Sequence, residues 1–252
     1  MNDVQEKLAQ SLTAEGTEMI PYLPYLLQDL WELGSSPEDI TELFLKYFDE
    51  NSKLRVLDLA CGKGAVSVKL AKNCGCRIKG IDLLPEFIAY AKVKATEFGV
   101  EKFCEFTVGD INEAVELERD YDVVIMGAAG DILGNPGETM EKLKKTIKQG
   151  GLIIIDDAYA RKEESEIYHT REEWQAYIEK AGLKKIDERF IADDELRAVN
   201  DAQQPLIQKR AEELKSKYPD KAPLFNGYIR SQLAECAELE NEIVGVLLLL
   251  KK

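Results

Sequence analysis

Seven apolar runs alternating with helical patterns predict an α/β protein: a mostly parallel, doubly wound, seven-stranded sheet covered on both faces. Three observations carry this reading. Lys53-Leu-Arg-Val-Leu-Asp-Leu59 reads as a buried strand that ends in a tight glycine turn and opens a helix. A second strand follows and closes on Ile81-Asp82, the pattern of a βαβ unit. Gly150-Gly151 then leads out of a helix into Leu152-Ile-Ile-Ile-Asp156, a fifth strand.

The elements follow in order. Ser36-Pro37-Glu-Asp39 is a helix start, with serine as cap, proline in the first turn and acids near the positive end. That helix runs through Phe48 and gathers Ile40, Leu43, Phe44 and Tyr47 on one face. The first strand is expected at about 54–59, a helix at 63–73 and the second strand at 76–82. Pro85 starts a helix that Gly99 ends. The third strand is expected at about 103–108 and the fourth at 121–127, then a helix at 136–148. Thr170-Arg-Glu-Glu173 is a capping box for a helix ending near Gly182. The sixth strand is expected at about 184–191 and the last at 242–250.

Two stretches exceed what connections require. Residues 193–240 divide into a charged half, Asp193 to Tyr218, and a half with Leu224, Tyr228, Leu233, Cys236 and Leu239 at near-helical spacing. This predicts two helices forming a cap. The N-terminal segment, residues 1–35, carries Met19-Ile-Pro-Tyr-Leu-Pro-Tyr-Leu-Leu-Gln-Asp-Leu-Trp31 and is the other helical cap piece. The main domain is then 36–252 with a helical insertion at about 193–240.

Composition narrows the partners. The chain has 252 residues, 33 Lys and Arg against 47 Asp and Glu, and a net charge of −14. Binding a nucleic-acid backbone relies on cations that neutralise phosphates, so no nucleic-acid partner is expected. The five cysteines are odd in number, Cys74-Gly-Cys76 is one residue short of a C-x-x-C pair, and His169 is the only histidine. No metal is expected, and the thiols read as reduced residues of a cytoplasmic protein. The first residues lack an apolar signal core, and Ile243 to Leu250 is too short to span a bilayer, so no membrane partner is expected either.

The turn after the first strand sets the chemistry. A dinucleotide turn needs G-x-G-x-x-G for its pyrophosphate. Here the small residues are Ala60, Gly62 and Gly64, position 67 is serine, and Asp58 stands two positions ahead. An acid there repels a pyrophosphate but suits a ligand that carries an ammonium group. Asp82, ending the second strand, can accept from two ribose hydroxyls. The segment Asp58-Leu-Ala-Cys-Gly-Lys-Gly64 resembles the first motif of the class I S-adenosylmethionine-dependent methyltransferases.

The resemblance covers roughly residues 36–191. It implies that Asp58, Ala60, Cys61, Gly62 and Gly64 hold the methionine end of S-adenosylmethionine, and that Asp82 with Leu83 holds the ribose. Phe103-Cys-Glu-Phe-Thr-Val-Gly-Asp110-Ile111 resembles the adenine position, with Asp110 accepting from the exocyclic amine and Ile111 against the ring. Tyr121-Asp122-Val-Val-Ile-Met-Gly127-Ala128 resembles the fourth strand, whose end at Gly127 lies beside the sulfonium. The family also implies that the last strand runs antiparallel, between strands five and six. One departure is Ala60, where many members have glycine.

The acceptor is less legible, because methyl transfer depends more on alignment than on a general base. Candidate bases are Asp131, Asp157 and Tyr159, at the carboxyl ends of the fourth and fifth strands where open α/β sheets bind ligands. Asp156 is a further one; Asp156 or Asp157 reads somewhat more readily as a cap on the next element, and Asp131 divides evenly between base and cap. His169 reads as solvated. Tyr22, Tyr25 and Trp31 read either as an aromatic lid over the sulfonium or as ordinary packing, with Tyr25 the candidate cofactor contact. Gly127-Ala-Ala-Gly130 lacks the proline pair of DNA amino-group methylases. The expected enzyme is a small-molecule methyltransferase, as a monomer or homodimer. Alternatives are a protein methyltransferase, a non-catalytic binder of the cofactor or of S-adenosylhomocysteine, and a nicotinamide-dependent oxidoreductase.

Overall fold

Seven strands form one sheet among the described residues, in the order β3-β2-β1-β4-β5-β7-β6. The computed structural model of the chain describes residues 2–48, 53–163, 165 and 167–252. The strands are β1 Arg55–Leu59, β2 Arg77–Asp82, β3 Cys104–Val108, β4 Tyr121–Gly127, β5 Ile147–Ala160, β6 Lys184–Phe190 and β7 Ile243–Lys251. The helices are α1 Asn2–Ser11, α2 Leu23–Leu26, α3 Pro37–Tyr47, α4 Ala65–Cys74, α5 Pro85–Glu97, α6 Ile111–Leu117, α7 Pro136–Thr146, α8 Arg171–Lys180, α9 Asp193–Lys217 and α10 Ala222–Asn241.

The parallel core is in register around Val56, which pairs with Ile78 of β2 and Val123 of β4. Ile78 continues to Cys104 of β3, and Val123 to Leu152 of β5. β-branched residues in consecutive positions fit strands covered by helices on both faces. β7 is antiparallel to β5: the Lys252 amide donates to the Gly151 carbonyl at one end and the Arg161 amide to the Glu242 carbonyl at the other. As expected, β7 lies between β5 and β6.

Three elements depart from expectation. The fifth strand, expected at 152–156, runs from Ile147 to Ala160, and the helix before it stops at Thr146. The glycine pair does not start β5 but bulges it: Tyr121 pairs with Ile147 and Val123 with Leu152, so extra residues are taken up at Gly150, whose φ is 76°. α6 is an addition. It follows Asp110, whose carboxylate caps the helix by accepting the Asn112 amide at 2.8 Å.

The chain divides into two compact units. One comprises residues 31–157, 172–189 and 246–252 and holds most of the sheet. Its core gathers Ile40 and Phe44 of α3, Val68 of α4, Ile88 of α5 and the inner residues of β1 and β4. The other comprises residues 1–30, 158–171 and 190–245. Here α9 and α10 fold back on each other: Gln204 donates to Cys236 Sγ at 3.2 Å and Lys215 to Asn226 at 2.9 Å. Ile207, Ala211 and Leu214 are buried on α9, as are Phe225 and Tyr228 on α10. Among the described residues, no helix is long and apolar enough to cross a membrane.

Candidate functional site

The site is built at the carboxyl ends of β1, β2 and β4, where parallel strands leave a crevice between their following loops. The turn from β1 to α4 holds Ala60 at φ 55°, Gly62 at 52° and Gly64 at 72°. Gly62 and Gly64 adopt this region without strain; the cost falls on Ala60, which alone carries a Cβ. The turn is held from outside. The Cys61 amide donates to the Ile81 carbonyl at 3.1 Å, and the Gly62 amide donates to Asp82 Oδ2 at 2.9 Å. The other oxygen of Asp82, Oδ1, accepts the Leu84 amide at 2.9 Å.

Two buried carboxylates flank this turn. Asp58, the penultimate residue of β1, accepts the Ser67 hydroxyl at 2.5 Å. Burial raises its pKa to about 7; the Ser67 bond opposes the rise and the nearby Asp82 charge adds to it. Burial likewise raises Asp82, against three backbone amides that favour its ionised form. Ser67 is the residue that breaks the dinucleotide spacing, and it serves instead to hold Asp58.

The other expected cofactor residues are placed as follows. Cys61 turns its sulfur back onto the sheet, 2.9 Å from where a Cβ on Gly80 would stand, so it offers the site only backbone. Burial pushes its thiol well up. Leu83 is half-buried and Ile111 buried. Asp110 spends one oxygen, Oδ1, on the cap of α6. Lys63, within the turn, is buried with its ammonium over the rings of Phe87 at 5.5 Å and Tyr90 at 5.0 Å on α5.

A short non-helical strap, expected as the end of the N-terminal helical cap piece, crosses these strand ends. Trp31 Nε1 donates to the Lys63 carbonyl at 3.1 Å. Leu33 Cδ1 lies 3.5 Å from where a Cβ on Gly62 would be. Gly34 packs against the Ala128 methyl, and Ser35 against the α-carbon of Gly127, at positions that leave no room for a Cβ on either glycine. The small residues at the end of β4 therefore serve close packing. Ser36 then caps α3 by accepting the Asp39 amide at 3.2 Å.

At the ends of β4 and β5, Met126, Asp131, Ile155, Asp156, Asp157 and Trp174 line a small crevice. Asp131 and Asp157 are exposed there. Asp156 is buried and its pKa is raised to about 6 by desolvation, eased by Ser35 beside it and increased by the charge of Asp39. Tyr159 and Tyr25 belong to the other unit. Tyr159 is buried with its ring 6.3 Å from that of Phe190, and Tyr25 donates its hydroxyl to Glu213 at 2.6 Å. Trp31, weighed from the sequence as a lid or as packing, instead bonds the turn through a partner 32 positions away; Ser35 and Ser67 are site-forming residues for which the sequence shows no such role.

The geometry fits S-adenosylmethionine on observations internal to this chain. Asp82 keeps acceptor capacity beyond its bonds to backbone amides, which a vicinal diol would use, and two buried carboxylates favour a cation over a pyrophosphate.

Comparisons with known proteins agree. Residues 50–215 match the methyltransferase domain family. The malonyl-[acyl-carrier protein] O-methyltransferase of Acetivibrio thermocellus is 32% identical over 143 residues, covering 56% of this chain and 46% of that protein. The chain thus spans about half the length of the curated relatives it matches. Among solved structures, a SAM-dependent methyltransferase from Geobacter sulfurreducens in complex with S-adenosyl-L-homocysteine superposes with a TM-score of 0.76. It is 22% identical, with 91% of this chain and 97% of that one covered. YjhP from Escherichia coli gives 0.74 at 19% identity, over 91% and 100%. The chain belongs to the methyltransferase domain family, in its class I, S-adenosylmethionine-dependent form.

Proposed function

We propose that this protein transfers a methyl group from S-adenosylmethionine to a small-molecule acceptor by in-line displacement. The observation that carries the reading is the pair of buried carboxylates, Asp58 and Asp82, on either side of a turn with three left-handed residues. When bound, the cofactor supplies a methyl group activated on a sulfonium. Asp58 would face its ammonium group, with the backbone of Ala60, Cys61, Gly62 and Gly64 around the amino-acid end. Asp82 and Leu83 would hold the ribose. Asp110, with Oδ2 left over from its capping role, and Ile111 would hold the adenine. Gly127 would lie beside the sulfonium.

The acceptor would enter the crevice at the ends of β4 and β5. Alignment there is worth roughly 7–11 kcal/mol of barrier, whereas a positioned base adds on the order of 10²–10⁴ in rate. Asp131 and Asp157 are the candidate bases on this side. The crevice is lined by three carboxylates and, among the described residues, by no lysine, arginine or histidine. That charge favours a neutral or cationic acceptor. A malonyl carboxylate, of the kind the Acetivibrio relative's name specifies, would meet repulsion.

The deciding experiment pairs calorimetry with a transfer assay. S-Adenosylhomocysteine is expected to bind the full chain while NAD gives no heat, and labelled methyl groups are expected to reach an amine or hydroxyl acceptor. Binding without transfer to any acceptor class would leave a non-catalytic binder. Transfer only to a protein would overturn the small-molecule reading.

A further inference from the structure

We infer that Trp31 is a positioning residue that fixes the cofactor turn at a second point, beside the one held by Asp82. This rests on the turn assignment proposed above and adds to it a residue outside the motif.

The turn needs such a restraint. Ala60 carries a Cβ into the left-handed region, which persists only where its surroundings over-determine it, whereas Gly62 and Gly64 adopt that region freely and are as free to leave it. The peptide between Lys63 and Gly64 is held at both ends. Its N–H donates to the Cys61 carbonyl at 2.9 Å, and its C=O accepts the Trp31 indole N–H at 3.1 Å. The peptide between Cys61 and Gly62 is held by Asp82, whose Oδ2 accepts the Gly62 amide at 2.9 Å. One clamp comes from the end of β2, and the other comes from a tryptophan distant in sequence.

The indole itself is firmly seated. Its ring lies 5.1 Å from that of Phe98 and is flanked by the ammonium groups of Lys69 at 5.5 Å and Lys94 at 5.3 Å. Lys69 is held in turn by Glu32 at 2.5 Å and Glu38 at 2.6 Å, and Lys94 by Glu97 at 2.7 Å. The ring is thus engaged with α4 and α5, and its polar edge is left to grip the turn. This separates its role from an aromatic lid over a sulfonium.

The test compares Trp31→Phe, which keeps a ring but removes the N–H, with Lys69→Met, which removes a cation from the ring but leaves the N–H. In the full chain, Trp31→Phe is expected to weaken S-adenosylhomocysteine binding roughly 3- to 10-fold and to raise KM for S-adenosylmethionine in proportion, with kcat within about twofold. Lys69→Met is expected to stay within about twofold on both constants. Amide exchange at Gly64 should quicken in Trp31→Phe alone, a readout independent of any ligand. Equal losses in the two variants, or unchanged Gly64 exchange in Trp31→Phe, would overturn the inference. Failure of the wild-type chain to bind S-adenosylhomocysteine would instead sink the functional reading and leave the exchange result standing.

Discussion

Asp82 Oδ2 accepts the Gly62 amide at 2.9 Å, so the residue placed to hold a ribose also holds the turn placed to hold the amino acid. The two halves of the proposed cofactor site share one carboxylate. Asp82→Asn would replace an acceptor with an amide that cannot serve both backbone donors and a diol. Losing a charge-assisted bond costs about 1–3 kcal/mol, so S-adenosylhomocysteine affinity is expected to fall roughly 5- to 150-fold by calorimetry. Affinity within twofold of wild type would remove Asp82 from the ribose role.

Asp58 makes stability depend on pH in a defined direction. Its folded pKa is about 7 against 3.8 for the free group, chiefly because it is desolvated. Between those values the native chain keeps a proton that the unfolded chain has released. The resulting stabilisation is complete below 3.8 and disappears as pH rises through about 7. Denaturant titrations at several pH values should show this decline, and Asp58→Asn should flatten it. An ammonium ligand would favour ionised Asp58. Cofactor-product affinity is therefore expected to rise between about pH 6 and 8, with protons released on binding. A flat profile for both variant and wild type would contradict the placement of Asp58 beside a cation.

Gly127 and Ser35 form a steric pair whose coupling can be measured. A Cβ at 127 would overlap the Ser35 hydroxyl and crowd its Cβ, 3.1 Å away. Gly127→Ala is expected to cost about 1–3 kcal/mol, lowering Tm by roughly 2–12 °C in a chain of this size. Adding Ser35→Gly, which removes both colliding atoms, should recover part of that loss. Strict additivity in the double-mutant cycle would mean that the strap does not rest on β4.

The thiols offer a check on burial. Desolvation raises Cys76 and Cys104 to about 12, and Cys61 is raised well above its usual value. Since the thiolate is the reactive form, these three should resist iodoacetamide at pH 8 in the native chain and react after denaturation. Rapid native alkylation of Cys61, read by mass spectrometry, would show that its sulfur does not face Gly80.

The parts of the site legible in the sequence were those encoded locally. The turn from Asp58 to Gly64 and the acid at 82 sit where strand, turn and strand follow one another, so spacing marks them as a ligand turn and the resemblance to the class I methyltransferases supplies their roles. Asp110 was placed as an adenine contact while its local duty went unread: it caps α6, a helix too short to show a periodic face. Gly150-Gly151 looked like a break, yet cross-strand pairing carries β5 through as a bulge, which only the partner strand could reveal. Ser35 and Trp31 were least legible, because each finds its partner across a long sequence separation. Gly127 shows the same limit from the other side. Its lack of a Cβ fitted roominess or tight contact equally well, and contact with Ser35 is what it serves.

The division between units falls between Leu30 and Trp31, one residue ahead of the indole that grips the Lys63 carbonyl. Anyone trimming this protein to a minimal cofactor-binding fragment therefore works against a sharp limit. A fragment beginning at Trp31 retains the hook on the loop, while one beginning at Ser36, where the first obvious helix signal stands, forfeits it with the motif intact.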